Sequence, residues 1–290
     1  MKTKTKKTIE KVLIGVLILL IVGGGVFCAK GLLDDYFKYQ VTVKNNDSWA
    51  EAFHSNETEP EWSTRATKDD LDAESRDLME KYTTMRRMNG DYACWLVIQG
   101  TEQEFPVCTV PANDQYYYLT HNFNREYSNS GCLFIDPNSS VDCDNLIIYG
   151  HHMYNGTMFG SLYNFLDEDW AREHHTIEVY TATEHRYYEV VCTFSSSMSN
   201  MPFTINGHTN LSNYEDCYNF SQAVRNVSWI NMEWIKEGKE YVYNPYVLDP
   251  GMFHERFLTL ITCEYTHDNG RQVVIAREID RPIWLPEEKG

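Results

Sequence analysis

RFLTLITCEYTHDNGRQVVIAREI, the sequence of residues 256–279, is typical of two β-strands joined by a tight turn. Residues 257–262 and 273–276 are rich in β-branched and apolar side chains, which favour strands. Between them a short polar loop ends in Asn269-Gly270, and Asn-Gly is the strongest short signal for a hairpin. The sequence therefore predicts an antiparallel pair in which the end of the first strand faces the start of the second.

The predicted hairpin brings a thiol next to a permanent cation. Cys263 follows the first strand and Arg271 precedes the second, so we expect both at one rim of the sheet. A guanidinium stabilises a neighbouring thiolate, which is the reactive form of cysteine. The alternative is a small buried cysteine at a strand end beside a surface arginine, since free cysteines are usually inert hydrophobic residues.

A second apolar stretch also ends on a reactive side chain. Residues 146–149 are predicted as a short strand, and Gly150, His151 and His152 follow it. Histidine accepts and donates protons near neutral pH. A Cys and a His that each follow a strand, far apart in sequence, match a thiol nucleophile and its acid/base partner. The alternatives are a histidine pair in a turn, or a zinc site with Cys263 that lacks regular ligand spacing.

Taken in order along the chain, these motifs resemble the class B sortases, which are cysteine transpeptidases of Gram-positive cell envelopes. The resemblance extends over about residues 68–279, and it implies a mainly β fold. That fold is a closed eight-stranded sortase-type barrel with an N-terminal helix and a helix in the connection before the cysteine strand. The motifs are NLIIYGH (145–151), TLITC (259–263), Arg271, DYACWLVI (91–98), FPV (105–107), DQYYYL (114–119) and MYNGTMFGSL (153–162).

The resemblance also implies a division of chemical roles. Cys263 is expected to attack the carbonyl after a threonine in a C-terminal sorting signal, which gives a thioacyl-enzyme. Arg271 is expected to stabilise the oxyanion. His151 is expected to protonate the leaving amine and to deprotonate the incoming one, without a cofactor or a metal. Three further residues are expected to line the substrate groove: Tyr149, Thr262, which would add a second oxyanion contact, and Tyr265.

The implied partners are surface proteins with an NPxTN-like, SPxTG-like or NPxTG-like C-terminal sorting signal, and an amino group of peptidoglycan. One rival is a papain-like cysteine hydrolase. It is disfavoured because its cysteine lies on a helix near the start of the domain, whereas here the histidine comes first and both residues follow strands. The other rival is a catalytically inactive binding barrel at the cell surface, which only a measurement of activity separates from an enzyme.

From residue 92 onward, short apolar or β-branched runs alternate with turns, as in a closed β-barrel. Two helices are predicted outside the strands. One begins near Thr67 and ends at Asn89-Gly90, and the other covers residues 212–229 after a capping-box pattern. Besides the hairpin, the predicted strands are residues 95–99, 105–109, 116–119, 132–135, 146–149, 177–181 and 187–194.

The first 66 residues are expected to anchor the domain. Residues 1–11 are basic, and residues 12–29 form an uncharged apolar run at the lower length limit of a membrane-spanning helix. This pattern predicts a single-pass transmembrane anchor with a cytoplasmic N-terminus and an extracellular catalytic domain. A cleaved signal peptide is the alternative. Residues 30–66 are expected to form a juxtamembrane stalk, and residues 67–290 the catalytic domain.

Net charge and cysteine content bear on the possible partners and on disulfide formation. The net charge is −17, with 42 acidic against 25 basic side chains, which excludes a nucleic-acid partner. Of the eight cysteines, Cys28 falls in the predicted anchor. The others are odd in number, so at least one thiol stays free whatever pairs form. We expect the non-catalytic cysteines to be reduced and buried.

Overall fold

The computed structural model describes residues 2–55, 68–211, 214–227, 256–264 and 269–279. The chain divides into two compact units, Met1–Asn45 and Asn46–Gly290. The helices of the described residues are α1 (Lys2–His54), α2 (Lys68–Met88), α3 (Glu168–Glu173) and α4 (Tyr214–Val227). Of these, α2 and α4 match the two helices that the sequence predicts.

The prediction of a transmembrane helix over residues 12–29 is wrong. Among the described helices, none is long and apolar enough to cross a membrane. Residues 12–29 are instead one part of α1, which continues without interruption to His54.

Eight strands close into a barrel, as the sequence predicts. They are β1 (Tyr92–Ile98), β2 (Gln103–Cys108), β3 (Leu133–Ile135), β4 (Asn145–Tyr149), β5 (Thr176–Tyr180), β6 (His185–Ser197), β7 (Phe257–Glu264) and β8 (Gly270–Ile279). Around the barrel their order is β1-β2-β3-β4-β7-β8-β6-β5. Because β4 and β7 are parallel neighbours, their C-terminal ends reach the same rim of the barrel.

The predicted antiparallel hairpin of β7 and β8 is confirmed. Its register runs without a shift from Phe257 opposite Arg277 to Glu264 opposite Gly270. Asn269, just before β8, has a φ of 52°, in the left-handed region that asparagine adopts more readily than most residues. Asn269-Gly270 therefore supplies the backbone conformation that leads the chain into β8.

Both faces of this hairpin are buried. Side chains from all eight strands, among them Leu260 and Val274, fill the barrel interior. On the outer face, Phe257 belongs to a second apolar cluster with Phe220 and Val224 of α4. The Phe220 and Phe257 rings meet edge to face, with centroids 5.0 Å apart. Burial of each such side chain stabilises the fold by about 1.5–3 kcal/mol. The hairpin is therefore held firmly in place on both faces, and so is the rim at which it ends.

The last residues of α1 belong to the unit that contains the barrel, and they pack against it. Trp49 and Phe53 are almost completely buried. Phe53 stacks on Trp95 of β1 with ring centroids 4.6 Å apart, and Trp49 Nε1 donates to Asn124 Oδ1 over 3.1 Å. This unit begins at Asn46, inside the segment that the sequence predicts as a stalk.

Two local predictions differ from the structure. Residues 116–119, predicted as a strand, contain a 3₁₀ turn, Tyr117–Leu119, in which the backbone N–H of Leu119 donates to the carbonyl oxygen of Tyr116 over 3.0 Å. The sequence analysis also missed α3. Its N-cap is Asp167, whose side chain accepts a hydrogen bond of 2.9 Å from the backbone N–H of Trp170. At six residues, α3 is too short for a helical period to be recognised.

Candidate active site

Cys263 and Arg271 occupy directly opposed positions of β7 and β8. Both side chains are half-buried. Opposed residues of an antiparallel pair project from the same face, with Cβ atoms about 4.5–5.5 Å apart. The Arg271 guanidinium also donates from Nη1 to the carbonyl oxygen of Gly270 over 2.8 Å. Cys263 therefore lies opposite Arg271, whose guanidinium is held by a contact with the backbone of β8.

His151 reaches the same rim because β4 and β7 run in parallel. Tyr149 of β4 is level with Ile261 of β7. The backbone N–H of Gly150 extends the ladder by donating to the Ile261 carbonyl over 3.1 Å. His151 follows Tyr149 by two residues, and Cys263 follows Ile261 by two residues, so both lie at the same height on the barrel. The topology thus brings together three residues that lie up to 120 positions apart in sequence.

The ring of His151 is held by a backbone carbonyl. Its Nε2 lies 2.7 Å from the carbonyl oxygen of Leu119, at the end of the 3₁₀ turn. A carbonyl oxygen only accepts, so the hydrogen of this contact belongs to Nε2. In the neutral ring, Nδ1 is then the nitrogen that can take a proton. Leu119 could not be predicted from the sequence, because every residue has a backbone carbonyl and the residue type does not show which one accepts a hydrogen bond.

Two glycines allow this close arrangement. Gly131 has a φ of +62°, and a Cβ there would collide with the carbonyl oxygen of Tyr118 and come within 3.1 Å of the His151 ring. At Gly150, a Cβ would strike Leu133 and lie 2.7 Å from a ring carbon of Phe159. A side chain at either position would displace the backbone that carries His151 or the turn that holds it.

Tyr149 and Thr262, two of the three residues predicted to line the groove, differ in burial and in contacts. Tyr149 is half-buried and stacks on Phe134 with ring centroids 5.6 Å apart. Thr262 is only 1% exposed and donates its hydroxyl hydrogen to the carbonyl oxygen of Gly150 over 2.8 Å. It therefore secures the backbone before His151, and its single hydrogen is not available to an oxyanion. Tyr265 lies outside the described residues.

The second histidine of the pair has a different setting. His152 forms an isolated backbone bridge with Met158. Its ring faces the edges of Tyr154 and Tyr163, with centroids 5.8 Å and 5.9 Å away. In the part of the chain that the structure describes, no group of three or more His, Cys, Asp or Glu residues is arranged to hold a metal ion.

The other thiols differ from Cys263 in their surroundings. All eight cysteines carry thiol groups, and five of them are buried: Cys94, Cys108, Cys132, Cys192 and Cys217. Burial raises the pKa of Cys94 to about 12, and burial together with the neighbouring Cys132 thiol raises that of Cys108 well above its ordinary value. The thiols of Cys94 and Cys108 therefore stay protonated and unreactive near neutral pH. Contrary to expectation, Cys143 is half-buried and Cys28 is exposed.

Comparisons with known proteins identify the family of the chain. A family model described as a sortase domain matches residues 108–279. Sortase B of Listeria monocytogenes serovar 1/2a is 28% identical over 203 residues, which cover 68% of this chain and 74% of that protein. Sortase B of Staphylococcus aureus is 26% identical over 203 residues, which cover 69% of this chain and 75% of that protein.

Solved structures lead to the same family. The X-ray structure of Clostridium perfringens sortase B is 30% identical, with a TM-score of 0.56, and the match covers 68% of this chain and 99% of that one. A Staphylococcus aureus sortase B–substrate complex has a TM-score of 0.63 at 21% identity and covers 84% of this chain and 99% of that one. At that identity the second match supports the fold alone.

Proposed function

Because the chain belongs to the sortase family, we propose that Cys263, His151 and Arg271 carry out its chemistry. The family match and the sortase B relatives identify the protein as a class B cysteine transpeptidase. The observation that best supports the three roles is the common rim. Cys263 opposes Arg271 across the β7–β8 hairpin, and His151 ends the strand next to β7.

The first half of the reaction is acyl transfer to the enzyme. The Cys263 thiolate attacks the carbonyl carbon of a threonine in the sorting signal, and the carbonyl oxygen takes the negative charge. Arg271 donates charge-assisted hydrogen bonds to this oxyanion, which are worth more in the transition state than in the ground state. His151 gives a proton to the departing amine, the C–N bond breaks, and the substrate remains on Cys263 as a thioester.

The second half transfers the acyl group to an amine. An amino group attacks the thioester carbonyl, and His151 removes a proton from it. The tetrahedral intermediate is again stabilised by Arg271. Its collapse forms the new amide bond and returns Cys263 as a thiolate. The Nε2–H of His151 is engaged by Leu119, so the proton is exchanged at Nδ1.

We further propose substrates of the class that these roles imply. The acyl donor is a surface protein with an NPxTN-like, SPxTG-like or NPxTG-like sorting signal, and the acceptor is an amine of peptidoglycan. Because peptidoglycan lies outside the cytoplasmic membrane, the barrel unit acts on the extracellular side. Protease treatment of intact cells tests this location, and a barrel unit that resists it until the cells are lysed would contradict it.

The decisive experiment detects the thioester directly. Protein comprising residues 46–290 is incubated with a panel of sorting peptides of the three types, and its intact mass is measured. We expect the mass of the peptide fragment that ends in threonine to be added to the wild type and not to the Cys263→Ala variant. With an added amine, product should shift from hydrolysis to transfer. Lack of an adduct with every peptide would favour an inactive binding barrel.

A further inference from the structure

A buried hydrogen-bond network lies behind the turn that holds His151. Its centre is Asn89, which follows α2 and is 1% exposed. Asn89 Nδ2 donates to the hydroxyl oxygen of Tyr118 over 2.9 Å and to the carbonyl oxygen of Phe123 over 2.8 Å. Asn89 Oδ1 accepts from the backbone N–H of Asp91 over 2.9 Å. One amide thus joins the end of α2, the 3₁₀ turn and the loop that follows the turn.

The Tyr118 hydroxyl also donates to a carboxylate. It lies 2.8 Å from Asp91 Oδ2, and Arg125 Nη2 donates to the same oxygen over 2.7 Å. Tyr118 is completely buried, and burial raises the pKa of its hydroxyl far above the ordinary value. The hydroxyl therefore keeps its hydrogen at every physiological pH. As a result, the ring of Tyr118 is fixed from two sides.

The network ends one residue away from the contact with His151. The carbonyl oxygen of Tyr118 accepts from the backbone N–H of Cys132 over 2.9 Å, and the next carbonyl, that of Leu119, accepts from His151 Nε2 over 2.7 Å. Gly131 lies against both carbonyls. A 3₁₀ turn of three residues has little stability of its own, so its orientation depends on these tertiary contacts.

We propose that Tyr118 and Asn89 are positioning residues, which fix the Leu119 carbonyl and thereby keep the His151 ring in its Nε2–H form. They lie outside the proposed catalytic set of Cys263, His151 and Arg271, and they act only through His151. The inference rests on the proposed role of His151 in proton transfer. The mechanism needs an Nδ1 without a hydrogen in the neutral ring. A ring that turned over would present Nε2 to the substrate instead. A ring in the other tautomer would carry its hydrogen on Nδ1 and could not accept a proton there.

The test compares the same small change on adjacent residues. Tyr118→Phe removes the hydroxyl that joins Asn89 to Asp91 and keeps the ring. Tyr117→Phe is the matched control, since its hydroxyl lies at the surface, where it makes a long contact of 3.4 Å with the Arg125 carbonyl. In addition, Asn89→Asp keeps the acceptor but removes both N–H donors.

Two quantities are measured on folded protein comprising residues 46–290. Long-range proton–nitrogen NMR correlations report the tautomer of the His151 ring without any substrate, with His151→Gln used for assignment. Steady-state transfer of a sorting peptide to an amine separates kcat from KM. We expect Tyr118→Phe and Asn89→Asp to show a mixture of tautomers. Their kcat should be about five- to tenfold lower, the size of one lost hydrogen bond, at unchanged KM.

Tyr117→Phe is expected to match the wild type in both measurements. The proposal is overturned if Tyr118→Phe folds and keeps the pure Nε2–H form with wild-type kcat. It is also overturned if kcat falls only in proportion to an unfolded fraction seen by circular dichroism. Failure of the proposed function looks different, because the wild type would then form no adduct although the tautomer of His151 still responds to Tyr118→Phe.

Discussion

Cys263 and Arg271 face each other across two strands whose register contains no shift, so their separation is fixed by the sheet itself. Neighbouring pairs of the hairpin are buried on both faces, and the Arg271 guanidinium is steadied by the Gly270 carbonyl. The hairpin thus fixes the backbone that carries the proposed oxyanion donor, and such preorganisation favours the stabilisation of developing charge. This preorganisation is what the first prediction tests.

Arg271→Lys should fold like the wild type but lose most of its activity. A lysine retains the charge but not the planar set of donors that can hold both an oxyanion and the backbone. We expect kcat/KM to fall by the equivalent of about 3 kcal/mol, the usual effect of one lost oxyanion donor. Arg172→Lys, a change in a surface ion pair with Glu168, is the control and should leave kcat/KM unchanged. Wild-type turnover in Arg271→Lys would remove Arg271 from the mechanism.

The histidine pair yields a second prediction. His151→Ala should abolish cleavage and transfer, whereas His152→Ala should keep substantial activity, because the His152 ring packs against Tyr154 and Tyr163. In His151→Ala, Cys263 should still react with a small alkylating agent, as detected by intact mass. The same sorting peptide is used for all variants. An inactive His152→Ala beside an active His151→Ala would reverse the assignment.

The hairpin and the barrel strands were predictable because short runs of β-branched residues and turn residues identify them locally in the sequence. Two β-branched runs around Asn269-Gly270 specify a register, and that register alone puts Cys263 opposite Arg271. The same alternation also accounts for the burial of Thr262. Adjacent residues of a strand face opposite sides, so an outward Cys263 requires an inward Thr262, and the structure shows Thr262 buried.

Other features of the site depend on contacts that the sequence does not encode locally. Leu119 holds His151 across 32 positions through a carbonyl, which every residue possesses. The 3₁₀ turn at Tyr117–Leu119 lies in a run of aromatic residues that favours a strand by composition. Its true conformation follows from the tertiary bonds of Tyr118, so local propensity gave the wrong answer there.

A third prediction concerns the dependence of stability on pH. Glu184, just before β6, accepts hydrogen bonds from Arg186 Nε over 2.6 Å and Arg256 Nη1 over 3.1 Å. Partial burial alone would raise the pKa of the Glu184 carboxyl, but the hydrogen bond and charge of Arg186, followed by those of Arg256, outweigh it and lower the pKa. A lowered pKa stabilises the fold above the unfolded value of about 4.3. This stabilisation is lost as the pH falls through the folded value.

Glu184→Gln should therefore lower the free energy of unfolding at pH 7 by about 0.5–1 kcal/mol, a small effect because the carboxylate is partly exposed to solvent. At pH 3 the wild type and the variant should differ much less. Urea denaturation at both pH values measures the difference. Glu168→Gln, in a more exposed ion pair on α3, serves as the control. An equal loss at pH 7 and pH 3 would show that Glu184 acts by packing and not by charge.

The last prediction concerns the end of α1, where the barrel unit begins. Trp49 and Phe53 are 4% and 1% exposed, and Phe53 stacks on Trp95 of β1. Replacement of a buried Phe or Trp by Ala usually costs about 3–5 kcal/mol, because a cavity is left. We therefore expect Phe53→Ala, in protein comprising residues 30–290, to reduce the free energy of unfolding by that amount. Phe37→Ala, at a position that is 62% exposed, should have almost no effect.

Truncation gives an independent measure of the same contacts. Protein that starts at residue 67 lacks both aromatic side chains, whereas protein that starts at Asn46 retains them. The shorter protein should unfold at lower urea concentration, since it leaves Trp95 of β1 uncovered. It should also lose activity, because Trp49 Nε1 donates to Asn124 Oδ1 in the loop that follows the 3₁₀ turn holding His151. Equal stability and equal kcat of the two proteins would show that the helix end packs on the barrel without supporting either the fold or the site.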